Sequence, residues 1–281
     1  MDELKEVLAA TDLSPRANRA ARRGAQLARA HGAVLHLAVV LGESAAREPV
    51  GGPGAALGEL AALLHRHYRV DVRPQVLFGR PPESLVQTAE ELAAGLLVVG
   101  AHGEGFLREL LLGSTAFHLL RQCKRPVLVV KNDVLGPYEN VLVGVDLSSD
   151  SRRALSTALA VAPRAACTAL YAVWPTLVSR WISVEMQDAD AEGLRRRAVD
   201  DARAELAAFL AMLPEAAGVK PRVEYGQPAK QLLERTWHGY ADLVVVARHG
   251  RGGPQPLELG STSRCVVEAA EADVLLVPGG E

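Results

Sequence analysis

The chain has 281 residues, 49% of them apolar but only 4% aromatic, and 31 Lys and Arg against 33 Asp and Glu give a formal net charge of −2. That length suits one large domain or two ordinary ones with a core built mainly of Ala, Val and Leu, and the balanced charge excludes a dedicated polyanion binder, so no nucleic acid partner is expected. Three cysteines without a CxxC pair exclude a disulfide framework or zinc ribbon, no run approaches the ~20 apolar residues of a membrane span, and the acidic opening MDELKEVLAATDLSP lacks a signal-peptide layout, so the cytoplasm is the expected location.

Along the chain, short apolar runs alternate with helical patterns. The runs are Val7 to Thr11, Val34 to Val40, Val70 to Leu77, Leu96 to Gly100 and Val127 to Val130. Apolar throughout, they read as strands buried on both faces. Ser14-Pro15 opens a helix running to about His31, with Gly32 just past its end. A second helical pattern starts at Pro81-Pro82-Glu83 and stops near Gly95, and a third starts at Gly113-Ser114-Thr115. Asn, Asp, Gly and Pro then cluster over KNDVLGPYE, Lys131 to Glu139, and mark a boundary.

Beyond that boundary the pattern returns. EVLAATD ending at Asp12 is echoed by NVLVGVD ending at Asp146, 134 residues on, and Val39 by Val173 at the same offset. FGRPPESL (Phe78 to Leu85) matches YGQPAKQL (Tyr225 to Leu232) at an offset of 147, which Gly103 with Gly250 and Gly113 with Gly260 keep. The second copy has therefore gained 13 residues after its second strand, between Trp174 and Met212. A strand to Val145, a helix from about Ser149, a strand Thr168 to Val173 and a long helix from about Ala189 to Leu213 are expected there. Such a period is too long for a solenoid unit. It indicates a duplicated α/β domain, residues 1–133 and 138–281, each a parallel sheet with helices on both faces. Ligands of such sheets bind beyond the carboxyl ends of the strands, where strand order switches.

The residues there carry the chemistry. LLVVG ends at Gly100 and is followed by AHGEGFLRELLLGST: Gly100, two residues, Gly103, nine residues, then Gly113-Ser114-Thr115. Gly100 and Gly103 let backbone approach a ligand without Cβ interference. Gly113-Ser114-Thr115 opens a helix whose free N–H groups and positive dipole end suit phosphate oxygens, with two hydroxyls to add. The spacing is neither GxGxxG nor a Walker A loop, so backbone rather than a P-loop lysine would hold the phosphates. Tight turns and a helix cap are the structural alternative.

These features resemble the universal stress protein (UspA) family in its tandem two-domain form. The family signature G-x2-G-x9-G-[S/T] is met by Gly100, Gly103, Gly113 and Ser114. Its strand-one aspartate is met by TDLSP at Asp12 and VDLSS at Asp146, and its closing strand by PVLVV, Pro126 to Val130. The resemblance implies two Rossmann-like (adenine nucleotide α-hydrolase-like) domains, each a five-stranded, mostly parallel sheet. It implies a stress-response or signalling protein binding ATP, ADP or AMP, with Mg²⁺ able to accompany the triphosphate. Asp12 would lie by the adenine, though a helix-capping role is equally open to it. The backbone of Val39 would meet the base edge, Gly100 and Gly103 the ribose and phosphates, and Gly113, Ser114 and Thr115 the phosphates, with His102 inside the loop. A second candidate site comprises Asp146, Val173, Arg248, Gly250, Gly260, Ser261 and Thr262. There the pattern departs: Gly100 becomes Ala247, Pro254 and Pro256 enter the spacer, and Arg251 stands where the first copy has Glu104. Backbone grounds favour the first site. The family also pairs domains through their last strands, here Val127 to Val130 with Val274 to Val277, which gives an internal pseudo-dimer and leaves room for a homodimer.

Other features read as structure. Arg195 to Arg197 reads as a solvated helix face, Trp174 as filler beside the inserted segment with stacking on a ligand as its alternative, and Cys123 and Cys265 as buried helix residues. His102 and His249 read as loop hydrogen-bonders. His65 and His67, two apart on a helix, do not face one another as metal ligands would. No nucleophile–base–acid constellation is visible, so little or no turnover is expected, at most slow ATP hydrolysis. An α-hydrolase enzyme would need paired glycines after strand one, which TDLSPRAN and VDLSSDSR lack. A module binding an apolar ligand or protein without nucleotide is the remaining alternative, given Phe106, Leu107 and Leu110 to Leu112.

Overall fold

The computed structural model describes residues 4–42, 52–101, 112–174, 188–237, 239–250 and 258–280. The expectations at His102, Gly103, Glu104, Phe106, Leu107, Leu110, Leu111, Arg251, Pro254 and Pro256 lie outside the described residues.

The first half runs β1 (Glu6–Ala10), α1 (Ala17–His31), β2 (Val34–Leu41), α2 (Pro53–Tyr68), β3 (Val72–Phe78), α3 (Pro81–Glu91), β4 (Leu96–Gly100), α4 (Ser114–Gln122), β5 (Val127–Val130). The second runs β6 (Asn140–Val145), α5 (Ser149–Val161), β7 (Ala166–Val173), α6 (Asp188–Ala211), a 3₁₀ turn (Pro214–Ala216), β8 (Lys220–Tyr225), α7 (Pro228–Trp237), β9 (Leu243–Ala247), α8 (Ser261–Ala269), β10 (Asp273–Val277). The strands form one sheet of ten in the order β3-β2-β1-β4-β5-β10-β9-β6-β7-β8. Within each half the pairing is parallel, and β10 meets β5 antiparallel, with Val274 opposite Val129 and Leu276 opposite Val127.

Apolar side chains leave both faces of the inner strands. On one face, Val7 and Ala9 pack with Leu27 of α1, Leu57 of α2, Leu155 of α5 and Leu206 of α6. On the other, Leu8 and Leu97 pack with Leu85 of α3, Leu119 of α4, Leu232 of α7 and Val266 of α8. Each layer runs through both halves, so the duplication shares its core.

Two expectations change. The third run is not buried on both faces: β3 is an edge strand whose Arg73, Pro74 and Gln75 include exposed positions, and an edge is where a proline can sit in a sheet. The first helix begins at Ala17 rather than at Ser14-Pro15, yet Ser14 still serves its start, its Oγ accepting the Ala17 N–H at 3.2 Å. Its end falls as the sequence predicts, with Gly32 at φ 65° closing the helix by N–H bonds to Ala28 and Arg29.

The candidate nucleotide clefts

The strand order reverses between β1 and β4, and again between β6 and β9. A cleft lies at each switch. After β1 the chain makes a tight turn in which Asp12 Oδ1 accepts the Ser14 N–H at 2.9 Å. Thr11 Oγ1 accepts the Leu13 N–H at 2.9 Å, and Ser14 Oγ accepts from the Ala17 N–H at 3.2 Å. The second copy repeats it: Asp146 Oδ1 accepts from the Ser148 N–H at 3.0 Å and from Ser148 Oγ at 2.5 Å, and Leu147 takes φ 64°. A short carboxylate bonding two residues on is the turn chemistry aspartate favours. It fixes both aspartates at their cleft rims.

The opposite wall is made by backbone. Gly113 donates its N–H to the Ala101 carbonyl at 2.8 Å, which brings it beside the strand end at Gly100 despite the thirteen-residue separation. Gly113 is the extended N-cap of α4 and offers no side-chain cap. The first-turn amides of α4 therefore keep donors without an intrahelical acceptor. Gly260 stands likewise before α8, bonded to the Arg248 carbonyl at 3.0 Å and again without a side-chain cap.

The first cleft has a volume of about 320 Å³ and brings together Asp12, Gly100, Gly113, Ser114 and Thr115. The Val39 side chain is buried in the core, and the side chain of the adjacent Val40 lines the cleft. The second cleft, about 900 Å³, brings together Asp146, Val173, Gly250, Gly260, Ser261 and Thr262. A Cβ at Gly250 would stand 2.6 Å from Asp146 Oδ2, so a larger residue there would displace that carboxylate. His249 Nε2 bonds the Glu258 carbonyl across the loop.

Arg248 does not line the second cleft. Its guanidinium is buried and donates to the Cys123 carbonyl in the other half, outside the cleft lining. Position 248 follows a strand whose last residue already faces the ligand side, so the alternation of a strand turns the next side chain away. Trp174 lines the second cleft and is 48% exposed. Cys265 is exposed, unlike Cys123. Pro81 and Leu85 of α3, with Pro228 and Leu232 of α7, complete the cleft walls and were not assigned to a site from sequence. The signal was present, because Pro81 with Pro228 and Leu85 with Leu232 are kept at matching positions of the repeat.

The architecture is thus a duplicated, doubly wound α/β chain with a cleft at each strand-order switch. The universal stress protein family profile matches residues 3–131 and again residues 137–278, and the chain belongs to that family. A universal stress protein of Mycobacterium tuberculosis strain H37Rv is 30% identical over 215 residues, 74% of this chain and 69% of its own length. One from Mycolicibacterium smegmatis is 35% identical over 204 residues, 69% of this chain and 66% of its own length. A solved universal stress protein of Archaeoglobus fulgidus matches over 100% of both chains with a TM-score of 0.69 at 18% identity, a likeness of fold. Among the described residues no helix is long and apolar enough to cross a membrane.

Proposed function

We propose that the chain binds ATP or a related adenine nucleotide, with little or no turnover. The phosphates would lie on the open amides of Gly113, Ser114 and Thr115, the ribose near Gly100, and the base between the Asp12 turn and the end of β2. The carrying observation is the uncapped helix N-terminus facing a glycine strand end across a cleft that also holds apolar wall residues, Val40 and Leu85. Backbone donors plus a positive dipole end suit phosphate without a lysine. The second cleft repeats the arrangement through Gly260, Ser261 and Thr262. Mg²⁺ would accompany the triphosphate oxygens. The β5–β10 seam makes each chain an internal pseudo-dimer in this reading, and two chains can associate further.

Calorimetry with ATP and Mg²⁺ tests it. Gly113→Asp places a carboxylate where phosphate would sit, and about a hundredfold loss at that site is expected, the scale of a ~3 kcal/mol penalty. Gly260→Asp should do the same for the second. Circular dichroism checks that both variants fold. A wild-type protein that takes up no nucleotide under native mass spectrometry, or folded double variants that still bind ATP normally, overturns the proposal.

A further inference from the structure

The two helices that open onto the clefts, α4 and α8, are each nine residues long. Isolated helices below ~12–15 residues are marginal in water, so these two depend on what holds their ends. At the N-terminus each is tied within its own half, Gly113 to the Ala101 carbonyl and Gly260 to the Arg248 carbonyl. At the C-terminus the tie comes from the other half.

The C-cap residue of α4 is Cys123, and its carbonyl accepts from the guanidinium of Arg248, the residue after β9. The C-cap residue of α8 is Ala270, 147 positions on, and its carbonyl accepts at 2.6 Å from Nζ of Lys131, the residue after β5. The acceptors are equivalent in the repeat but the donors are not. Ala101 stands in the first half where the second has Arg248, and Pro278 stands in the second where the first has Lys131. A basic side chain thus reaches the same end of the same helix twice, from different sequence positions.

Topology makes the reach possible. Each of these helices crosses back from the carboxyl ends of its strands to their amino ends. Because β10 meets β5 antiparallel, the carboxyl ends of one half's strands lie level with the amino ends of the other's. The residue after β9 therefore comes beside the end of α4, and the residue after β5 beside the end of α8.

The tie acts on the phosphate end of the helix. Last-turn carbonyls lack an intrahelical donor, and a cation there also complements the dipole. Cys123 and Arg248 are both buried, so removing the donor leaves a carbonyl unsatisfied. A helix frayed at its C-terminus keeps fewer aligned peptide units behind its first-turn amides, and nine residues make only about two and a half turns. Its N-terminus then holds phosphate less well.

We propose that Arg248 and Lys131 are positioning residues for the nucleotide phosphates, each bracing the helix that opens the other half's cleft, so that neither cleft is complete without the half across the seam. The inference rests on the clefts binding nucleotide.

Calorimetry at neutral pH with ATP and Mg²⁺, one cleft silenced at a time, tests it. In a Gly260→Asp parent, which reports the first cleft, Arg248→Met should weaken binding roughly fivefold or more, the scale of one lost hydrogen bond, and Lys131→Met less than about twofold. In a Gly113→Asp parent, which reports the second cleft, the order should reverse, and Lys131→Arg should restore the affinity. If Arg248→Met fails to fold by circular dichroism, Arg248→Lys, a charge without the planar fork, should show the same bias toward the first cleft. Equal losses at both clefts, as a general loss of stability would give, or no loss in either parent, overturn the proposal and leave the nucleotide reading standing. Parents that take up no ATP overturn both.

Discussion

Lys131 holds a charge where water is scarce, and this makes stability depend on pH in a direction that can be worked out. Burial lowers its pKa to about 8, against the attraction of Asp273. An unfolded chain keeps the ordinary lysine value near 10.4. Between those values the unfolded state binds more protons than the folded one, so stability rises with pH. The buried thiols of Cys167, raised to about 11, and Cys123, also raised, act in the opposite sense as the unfolded thiols ionise, but they act alike in the wild type and in Lys131→Met. Between pH 8 and 9 the wild type should therefore gain about 1 kcal/mol relative to Lys131→Met in urea unfolding. Parallel profiles for the two proteins would show that Lys131 is not the source. At this scale the sequence is uneven in what it discloses. Asp12 and Asp146 stand out because the repeat places them alike. Arg248 does not, since nothing local to RHG distinguishes a side chain aimed at a ligand from one aimed across a domain seam.

The helix starts beside the clefts are built alike in the two halves. In α5, Ser148 is the N-cap residue: its Oγ accepts the Ser151 N–H at 3.1 Å and donates to Asp146. In α1, Ser14 makes the matching bond, accepting the Ala17 N–H at 3.2 Å, although the regular helix is entered only at Ala17. Ser148→Ala should therefore cost about 1 kcal/mol of stability by urea unfolding, as loss of a serine cap does. It also removes one donor from Asp146, so the second cleft should lose nucleotide affinity along with helix stability. A loss below about 0.3 kcal/mol would mean that the cap contributes little. Elements were largely legible from sequence because apolar runs of five residues and glycine or proline punctuation are local signals. β4 and β5 fall on the expected residues, and α6 lies within two residues of the expected helix. The edge strand β3 was legible as a strand but not as an edge, because strand order is a property of pairing partners far along the chain.

The two halves are joined by a short antiparallel seam and by a buried polar clamp that exists in one copy only. Asp273, fully buried at the start of β10, stands where the first half has Pro126. It accepts from the Lys131 and Asn132 N–H groups at 2.8 and 3.1 Å and from the Tyr138 hydroxyl at 2.7 Å. Arg23 of α1 lies 3.5 Å from it, stacks on the Tyr138 ring at 4.0 Å, and donates to the Gly136 carbonyl at 2.8 Å. One carboxylate thus ties α1, the segment joining the halves and the final strand together. Periodicity could not reveal it, since a charge at full burial breaks the pattern that marks β10 as a strand. Removing one member of a buried ion pair strands the other, at roughly 3–5 kcal/mol. Asp273→Ala should lose about that much in urea unfolding. Arg23→Met combined with Asp273→Ala should cost less than the two single changes added together, because the stranded guanidinium is gone. If the carboxylate were only a local strand cap, the single variant would lose about 1 kcal/mol and the double variant would be additive. A large single effect with a strong coupling to Arg23 would instead mark the clamp as the device that holds the duplicated halves in one sheet.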